Sequence, residues 1–228
     1  MNFNLLATVA TATLFLACAQ ANAEDAVPGN SHGLYVSVFG GESYPENVQA
    51  DIAFPSKHWT YDLDLKTGYL FGGAVGMNVT DMIRGEVELS HSTSKTDGET
   101  HFSDSGSFGA GSTRGDMSAT YLLANVWMDV NNDTPFTPYV GGGAGVGWAD
   151  GNAVFRSGPQ GYDGTDMGFA FQLGGGVKFD LTDRIALDVG YRYKSILNVD
   201  FDEVTTGSVY KNADVNSHNV QLGLTYSF

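Results

Sequence analysis

From residue 33 to the carboxyl end, bulky apolar side chains recur at alternate positions in eight short stretches: 33–42, 67–77, 82–91, 118–129, 138–149, 167–179, 184–194 and 217–228. A period of two is the signature of a β-strand with chemically different faces. Each stretch is about the 9–11 residues a tilted strand needs to cross a bilayer. Their connections alternate in length. NVTD (78–81), VNNDTPFT (130–137) and DLTD (180–183) are tight, whereas 43–66, 92–117, 150–166 and 195–216 are long. Long loops at one end and tight turns at the other, with an even strand number, predict an all-β fold: an eight-stranded antiparallel transmembrane up-and-down β-barrel. GGAVGMNVTDMIRGEVELS (72–90) and GGGVKFDLTDRIALDVGYR (174–192) align without gaps at seven positions, including Thr80/Thr182, Asp81/Asp183 and Ile83/Ile185. Two hairpins therefore follow one plan.

A membrane barrel is apolar outside and polar within, and a soluble ligand-binding barrel is the reverse. In the third stretch Ile83, Val87 and Leu89 oppose Arg84, Glu86 and Glu88. In the sixth, Phe169, Phe171, Leu173, Val177 and Phe179 oppose Gln172 and Lys178. In the seventh, Ile185, Leu187, Val189, Tyr191 and Tyr193 oppose Asp188 and Arg192. Charged residues on an inner face fit a membrane barrel whose apolar face meets lipid, with Tyr69, Trp148, Tyr191, Tyr193 and Tyr226 as candidates for the interfacial aromatic girdles. The inward set Arg84, Glu86, Glu88, Lys178, Asp188 and Arg192, with Asn125 and Gln172 nearby by register, balances three cations against three anions. Such balance predicts a buried ion-pair network filling the lumen, the competing reading being a gated small-ion path.

PYVGGGAGVGWAD (138–150) places glycines at 141, 142, 143, 145 and 147. No register gives GxGxxG: one from Gly141 meets Val146 and one from Gly143 meets Trp148. Gly147 is followed by Trp148 and Ala149, not by the Lys and Ser/Thr of a phosphate loop. Read as a strand, Tyr139 and the glycines at 141, 143, 145 and 147 share one face, with Val140, Gly142, Ala144, Val146 and Trp148 on the other. The glycines leave room for long side chains in a lumen that eight strands make just wide enough to fill.

The first 26 residues hold a 13-residue apolar run, Leu5 to Ala17, followed by Ala21-Asn22-Ala23. This is the layout of a secretory leader cleaved after Ala23, although the segment before the run lacks Lys and Arg. Residues 1–23 are read as the leader and 24–228 as the barrel domain. Cys18 raises a lipoprotein alternative, against which Phe15, Leu16 and Ala17 fit a lipidation signal poorly; otherwise cleavage removes the only cysteine. The net charge of −15 disfavours nucleic acid, which needs a basic footprint. No CxxC or HExxH pattern supplies a zinc site, and neither metal nor cofactor is expected. The four long connections (counted over 42–64, 92–116, 149–166 and 195–214) carry 16 acidic and 5 basic residues, a net of −11.

The last stretch, SHNVQLGLTYSF, sets Val220, Leu222, Leu224, Tyr226 and Phe228 on one face and stops at that Phe. With GLYVSVFGG, TPYVGGGAGVGWA and the two TD-turn hairpins, the chain from 24 to 228 resembles the small bacterial outer-membrane barrels of the OmpA and opacity type. The resemblance implies a Gram-negative outer-membrane location and a terminal strand read as an assembly signal by the barrel-insertion machinery. It further implies a monomer in contact with outer-membrane lipid and lipopolysaccharide. The acidic loops are expected to give a solvated surface serving envelope integrity or, like opacity-type antigens, adhesion to host or cell-surface ligands, with divalent cations bridging to lipopolysaccharide. A narrow or gated porin is the alternative. A lipid-modifying enzyme would need a nucleophile and a base converging at the outer rim. His91 and Ser92 are adjacent in a strand and point to opposite faces, His101 and His218 lie elsewhere, and no catalysis is expected.

Overall fold

The computed structural model describes residues 33–54, 57–103, 106–111, 113–130, 132, 134–155, 161–202 and 209–228. Residues 1–23, expected to be a leader, and with them Cys18, lie outside these residues. Among the described residues eleven strands follow in order: β1 (Leu34–Pro45), β2 (Val48–Phe54), β3 (Lys57–Leu65), β4 (Gly68–Asn78), β5 (Ile83–Ser103), β6 (Gly106–Gly111), β7 (Thr113–Asp129), β8 (Phe136–Phe155), β9 (Gly161–Asp180), β10 (Ile185–Asp202) and β11 (Val209–Ser227). Eight of them, β1, β4, β5, β7, β8, β9, β10 and β11, pair antiparallel in chain order. The ring closes between β1 and β11, from Tyr35↔Ser227 to Pro45↔Ser217. The backbone N–H of Phe228 donates to the carbonyl of Leu34 at 3.0 Å, so the final residue takes part in the closure.

The faces divide as a membrane requires. Leu173 and Leu222 are 59% and 67% exposed, whereas their inward neighbours Gln172 and Gln221 are buried. Val38, Phe71, Val87, Val126, Val140, Phe169 and Val189 continue the exposed apolar belt around the ring. In water that surface would be a large solvation cost; in a hydrocarbon layer it is the favourable face.

The two echoing hairpins make the same turn. Thr80 Oγ1 accepts the N–H groups of Met82 and Ile83 at 3.2 and 2.9 Å, and Thr182 Oγ1 accepts those of Arg184 and Ile185 at 3.2 and 3.0 Å. The shared Thr thus satisfies backbone donors that a four-residue turn leaves unpaired.

The long connections are not simple loops. β5 runs as one strand from the belt to Ser103, and β2–β3 and β6 pair beside it as a four-stranded ribbon. Above the lipid there is no reason for a bulky apolar outer face, so the alternation that marked strands 33–42 and 82–91 fades while the backbone pairing continues. The β1–β4 and β2–β3 ladders are in one register, interrupted at 44–47 and 64–67. Asn47 Nδ2 donates to Asp64 Oδ1 across the interruption at 2.7 Å. In β10 a register shift between Ile196 and Val199 holds Asn198 at φ 56°, a left-handed conformation that Asn tolerates better than most residues.

Candidate functional site

The lumen is built from inward positions of the eight paired strands and has two chemically distinct halves. In the half nearer the tight turns, Arg84 Nε bonds both Asp129 carboxylate oxygens at 2.9 and 3.0 Å, with Lys178 Nζ 4.0 Å from the same carboxylate. One layer further in, Glu86 accepts hydrogen bonds from the Tyr35 hydroxyl (3.0 Å), Asn125 Nδ2 (3.1 Å) and Trp127 Nε1 (2.7 Å). Arg192 lies 4.2 Å from the Trp127 ring centroid and donates to the Tyr139 hydroxyl at 2.9 Å. Its other nitrogen donates to the carbonyls of Tyr191 and Gly175 at 3.0 and 3.3 Å. Glu88 pairs with Lys194 and also accepts from Ser90 Oγ (2.8 Å), Asn125 Nδ2 (3.0 Å) and Gln172 Nε2 (2.7 Å).

The structure therefore gathers Arg84, Glu86, Glu88, Asn125, Gln172, Lys178, Asp188 and Arg192 along one lumen. Arg84, Glu86, Glu88, Lys178, Asp188 and Arg192 line a shared cavity of about 30 Å³ together with Ser37, Thr225 and Gln221. The partners that complete the pairs are Asp129 and Lys194, which lie outside the predicted inward set. Both carry the same parity signal as residues it included: Lys194 follows Asp188 and Arg192 in β10, and Asp129 follows Asn125 in β7. With them the lumen balances four cations against four anions.

The half nearer the ribbon holds an apolar cluster beside the buried hydroxyls of Ser92, Ser94 and Thr96, unlike the polar interior expected throughout. Val48, Met117, Ala119, Tyr121, Leu123, Ala149, Ala170, Ile196, Val199, Ala213 and Val215 form one buried cluster, with Leu65 packed against it. These residues come from β2, β7, β8, β9, β10 and β11. Ile196 reaches across β9 to β8: a Cβ added at Gly147 would lie 2.6 Å from Ile196 Cγ1. One added at Gly141 would lie 2.7 Å from Trp127 Cε3. The glycine run of β8 is thus the floor on which large side chains from other strands rest.

On the outer face, the aromatic candidates Tyr69, Tyr191 and Tyr226 are exposed, and Trp148 and Tyr193 half-buried. His218 sits among Tyr191 and Tyr193, with Nε2 2.9 Å from Glu46 Oε1 and Nδ1 2.6 Å from the Tyr191 hydroxyl. His91 Nδ1 lies 2.9 Å from Thr120 Oγ1, while Ser92 is buried on the inner face. The side chain of His101 lies outside the described residues. Val220, Leu222, Leu224, Tyr226 and Phe228 line the outer face of β11, and the Phe228 ring meets that of Tyr226 edge-on at 5.2 Å.

A family model for the outer membrane protein beta-barrel domain matches residues 9–228. An uncharacterized protein of Brucella abortus (strain 2308) is 27% identical over 203 residues, covering 73% of this chain and 71% of its own length. The outer membrane protein PagN of Salmonella typhimurium is 31% identical over 122 residues, 48% of this chain and 49% of PagN. Among solved structures, the outer membrane protein OprG from Pseudomonas aeruginosa matches with a TM-score of 0.53 at 14% identity, over 89% of this chain and 99% of that one. The outer membrane protease OmpT from Escherichia coli matches with a TM-score of 0.54 at 7% identity, over 90% and 99%. At such identities the structural likeness speaks to the fold alone.

Proposed function

We propose, from the premise that this chain belongs to the outer membrane protein β-barrel domain family, that its working surface is the acidic ribbon it raises above the outer membrane. The protein is an integral outer-membrane β-barrel. Tight turns place the Thr80 and Thr182 end in the periplasm and the long ribbon outside, as in other barrels of this kind. The observation that carries the reading is the continuation of the wall. From His91 to Ser103, β5 adds about 40 Å of strand beyond the apolar belt, or about 30 Å of height at a typical tilt. The long connections in this region also hold most of the excess negative charge, −11 of −15. Surfaces carried on a rigid scaffold are where binding residues concentrate. The barrel anchors this surface in lipid and lipopolysaccharide and contributes to envelope integrity, with the lumen network bracing the wall. Surface interaction, including adhesion, is the work of the ribbon.

Catalysis is not part of the proposal. His91 and Ser92 occupy opposite faces of β5, and His218 is engaged by Glu46 and Tyr191. The terminal strand, Val220 to Phe228, is proposed as the segment presented to the insertion machinery. The test is to display the full chain on a non-adherent host bacterium beside a variant whose ribbon is shortened by replacing 49–62 and 98–111 with tight turns. Both must show the gel-mobility shift on boiling that marks a folded barrel. Loss of attachment to cell surfaces or of self-aggregation in the shortened variant supports the reading. Unchanged attachment, or none by the intact chain, rejects it.

A further inference from the structure

We infer that the permeability barrier of this barrel is the apolar cluster in the outer half of its lumen, and that the charged half below it is a blind, water-filled vestibule open to the periplasm. This is independent of what the ribbon binds. The first observation is a gradient of exposure along the axis. Side-chain exposure is 26% for Lys178 at the periplasmic end and 10% for Asp129. It falls to 3% for Glu88 and 0% for Lys194. Water therefore reaches the network from below and stops at the Glu88–Lys194 layer. The second is the cavity lined by Arg84, Glu86, Asp188, Arg192 and Gln221: at about 30 Å³ it holds one or two waters. Gln221 Oε1, buried and without a protein partner among the described residues, is an acceptor for such a water.

The third observation is what lies above. Ala149, Ala170, Ile196, Val199 and Ala213 have no exposure and carry no polar side-chain atom. They offer an ion no replacement for its hydration shell, and a constriction of this kind excludes water altogether. A charged network alone is a weaker seal, because side chains that exchange partners can pass a hydrated ion between them. Ile196 is the centre of the plug, since it bridges from β10 to the Gly147 floor of β8.

Two measurements on the full chain test this. In planar bilayers with potassium chloride, the unaltered protein and a Glu88→Gln/Lys194→Met variant are expected to stay at baseline. A Leu123→Ser/Ile196→Ser variant is expected to show discrete conductance steps with at least ten times the open time. Conductance in the network variant with silence in the plug variant would overturn the inference, as would steady conductance by the unaltered protein. The second measurement leaves the plug packed. In a Cys18→Ala background, Ser37→Cys in the vestibule and Ala149→Cys in the plug are treated in the folded protein with silver ion, a thiol reagent small enough for a cavity that holds one or two waters, and are then boiled and labelled with a maleimide. The vestibule position is expected to be blocked by silver, and the plug position to stay free for the maleimide. Equal blocking of both in the folded state, or of neither, rejects a wet vestibule beneath a dry plug.

Discussion

Replacing Lys194 by Met removes one charge from the most deeply buried ion pair of the lumen while nearly conserving side-chain volume. Lys194 has no exposed side-chain surface and Glu88 has 3%, so the abandoned carboxylate is nearly cut off from bulk water. Breaking a buried pair from one side costs about 3–5 kcal/mol. Glu88 keeps hydrogen bonds from Ser90, Asn125 and Gln172, which places the loss nearer the lower figure, at about 3 kcal/mol. Glu88→Gln leaves the ammonium with Ser90 Oγ at 2.8 Å and the Tyr121 ring at 5.0 Å, and a similar loss is expected. The double variant removes both charges and should fall within about 1 kcal/mol of the parent, because a neutral pair of similar volume has no desolvation cost to recover. The coupling energy from the cycle would then be about 3 kcal/mol or more, well outside the additivity of independent sites. The assay is reversible urea unfolding in lipid vesicles, followed by tryptophan emission, with Trp127 hydrogen-bonded to the same network as reporter, and by gel mobility of unboiled samples. If each single variant loses less than about 1 kcal/mol, or the two losses simply add, the pair is not the buried, mutually dependent unit described here.

Gly147→Leu should destabilise by about 1–3 kcal/mol through overpacking against Ile196, and Ile196→Ala in the same chain should restore part of that loss; urea midpoints of the three variants check both signs. His218→Ala should cost no more than about 0.5 kcal/mol in the same titration, because its contact with Glu46 joins two groups that are each 44% exposed. Thr80→Ala and Thr182→Ala each remove an acceptor shared by two backbone N–H groups, and each should lower stability by about 1 kcal/mol in urea unfolding. Deleting Phe228 removes a closing hydrogen bond to Leu34 and the ring on Tyr226, and should deplete the heat-modifiable form in membranes several-fold while leaving synthesis unchanged.

The membrane-spanning wall was legible because a bilayer imposes a strict rule on each strand: one face must be apolar for about ten residues. Ile83, Val87 and Leu89 opposite Arg84, Glu86 and Glu88 carry that rule in plain form. The turns were legible for the same local reason, since Thr80 and Thr182 work through their own neighbours. The ribbon was not. Beyond Ser92 both faces of β5 are free to be polar, so KTDGETHFS reads as a loop although it pairs on both sides. Pairing between segments as distant as Trp59 and Ser103 leaves no periodic trace in either when neither face is required to be apolar.

The apolar plug was hidden for the opposite reason. In β10, Ile196 is inward on the same parity as Asp188, Arg192 and Lys194, an apolar residue where that face had been charged, and Val199 is inward although it has the parity of the outward apolar residues of 185–193. The bulge at Leu197 and Asn198 carries the chain through a register shift, and parity counted from Ile185 fails beyond it. In β7, Tyr121 and Leu123 share the inward face with Asn125, but outward Leu122 and Ala124 are apolar as well, so that stretch looks uniformly hydrophobic. A strand that is apolar on both faces is the expected trace where lipid lies outside and a dry plug lies within, and the same logic extends to Ala149 and Ala170. Where the alternation sharpens into charged against apolar, as at Arg84 to Glu88, the lumen is wet. The contrast between the two faces along one strand therefore reports how far water penetrates the barrel, and it drops at the layer where Lys194 meets Glu88.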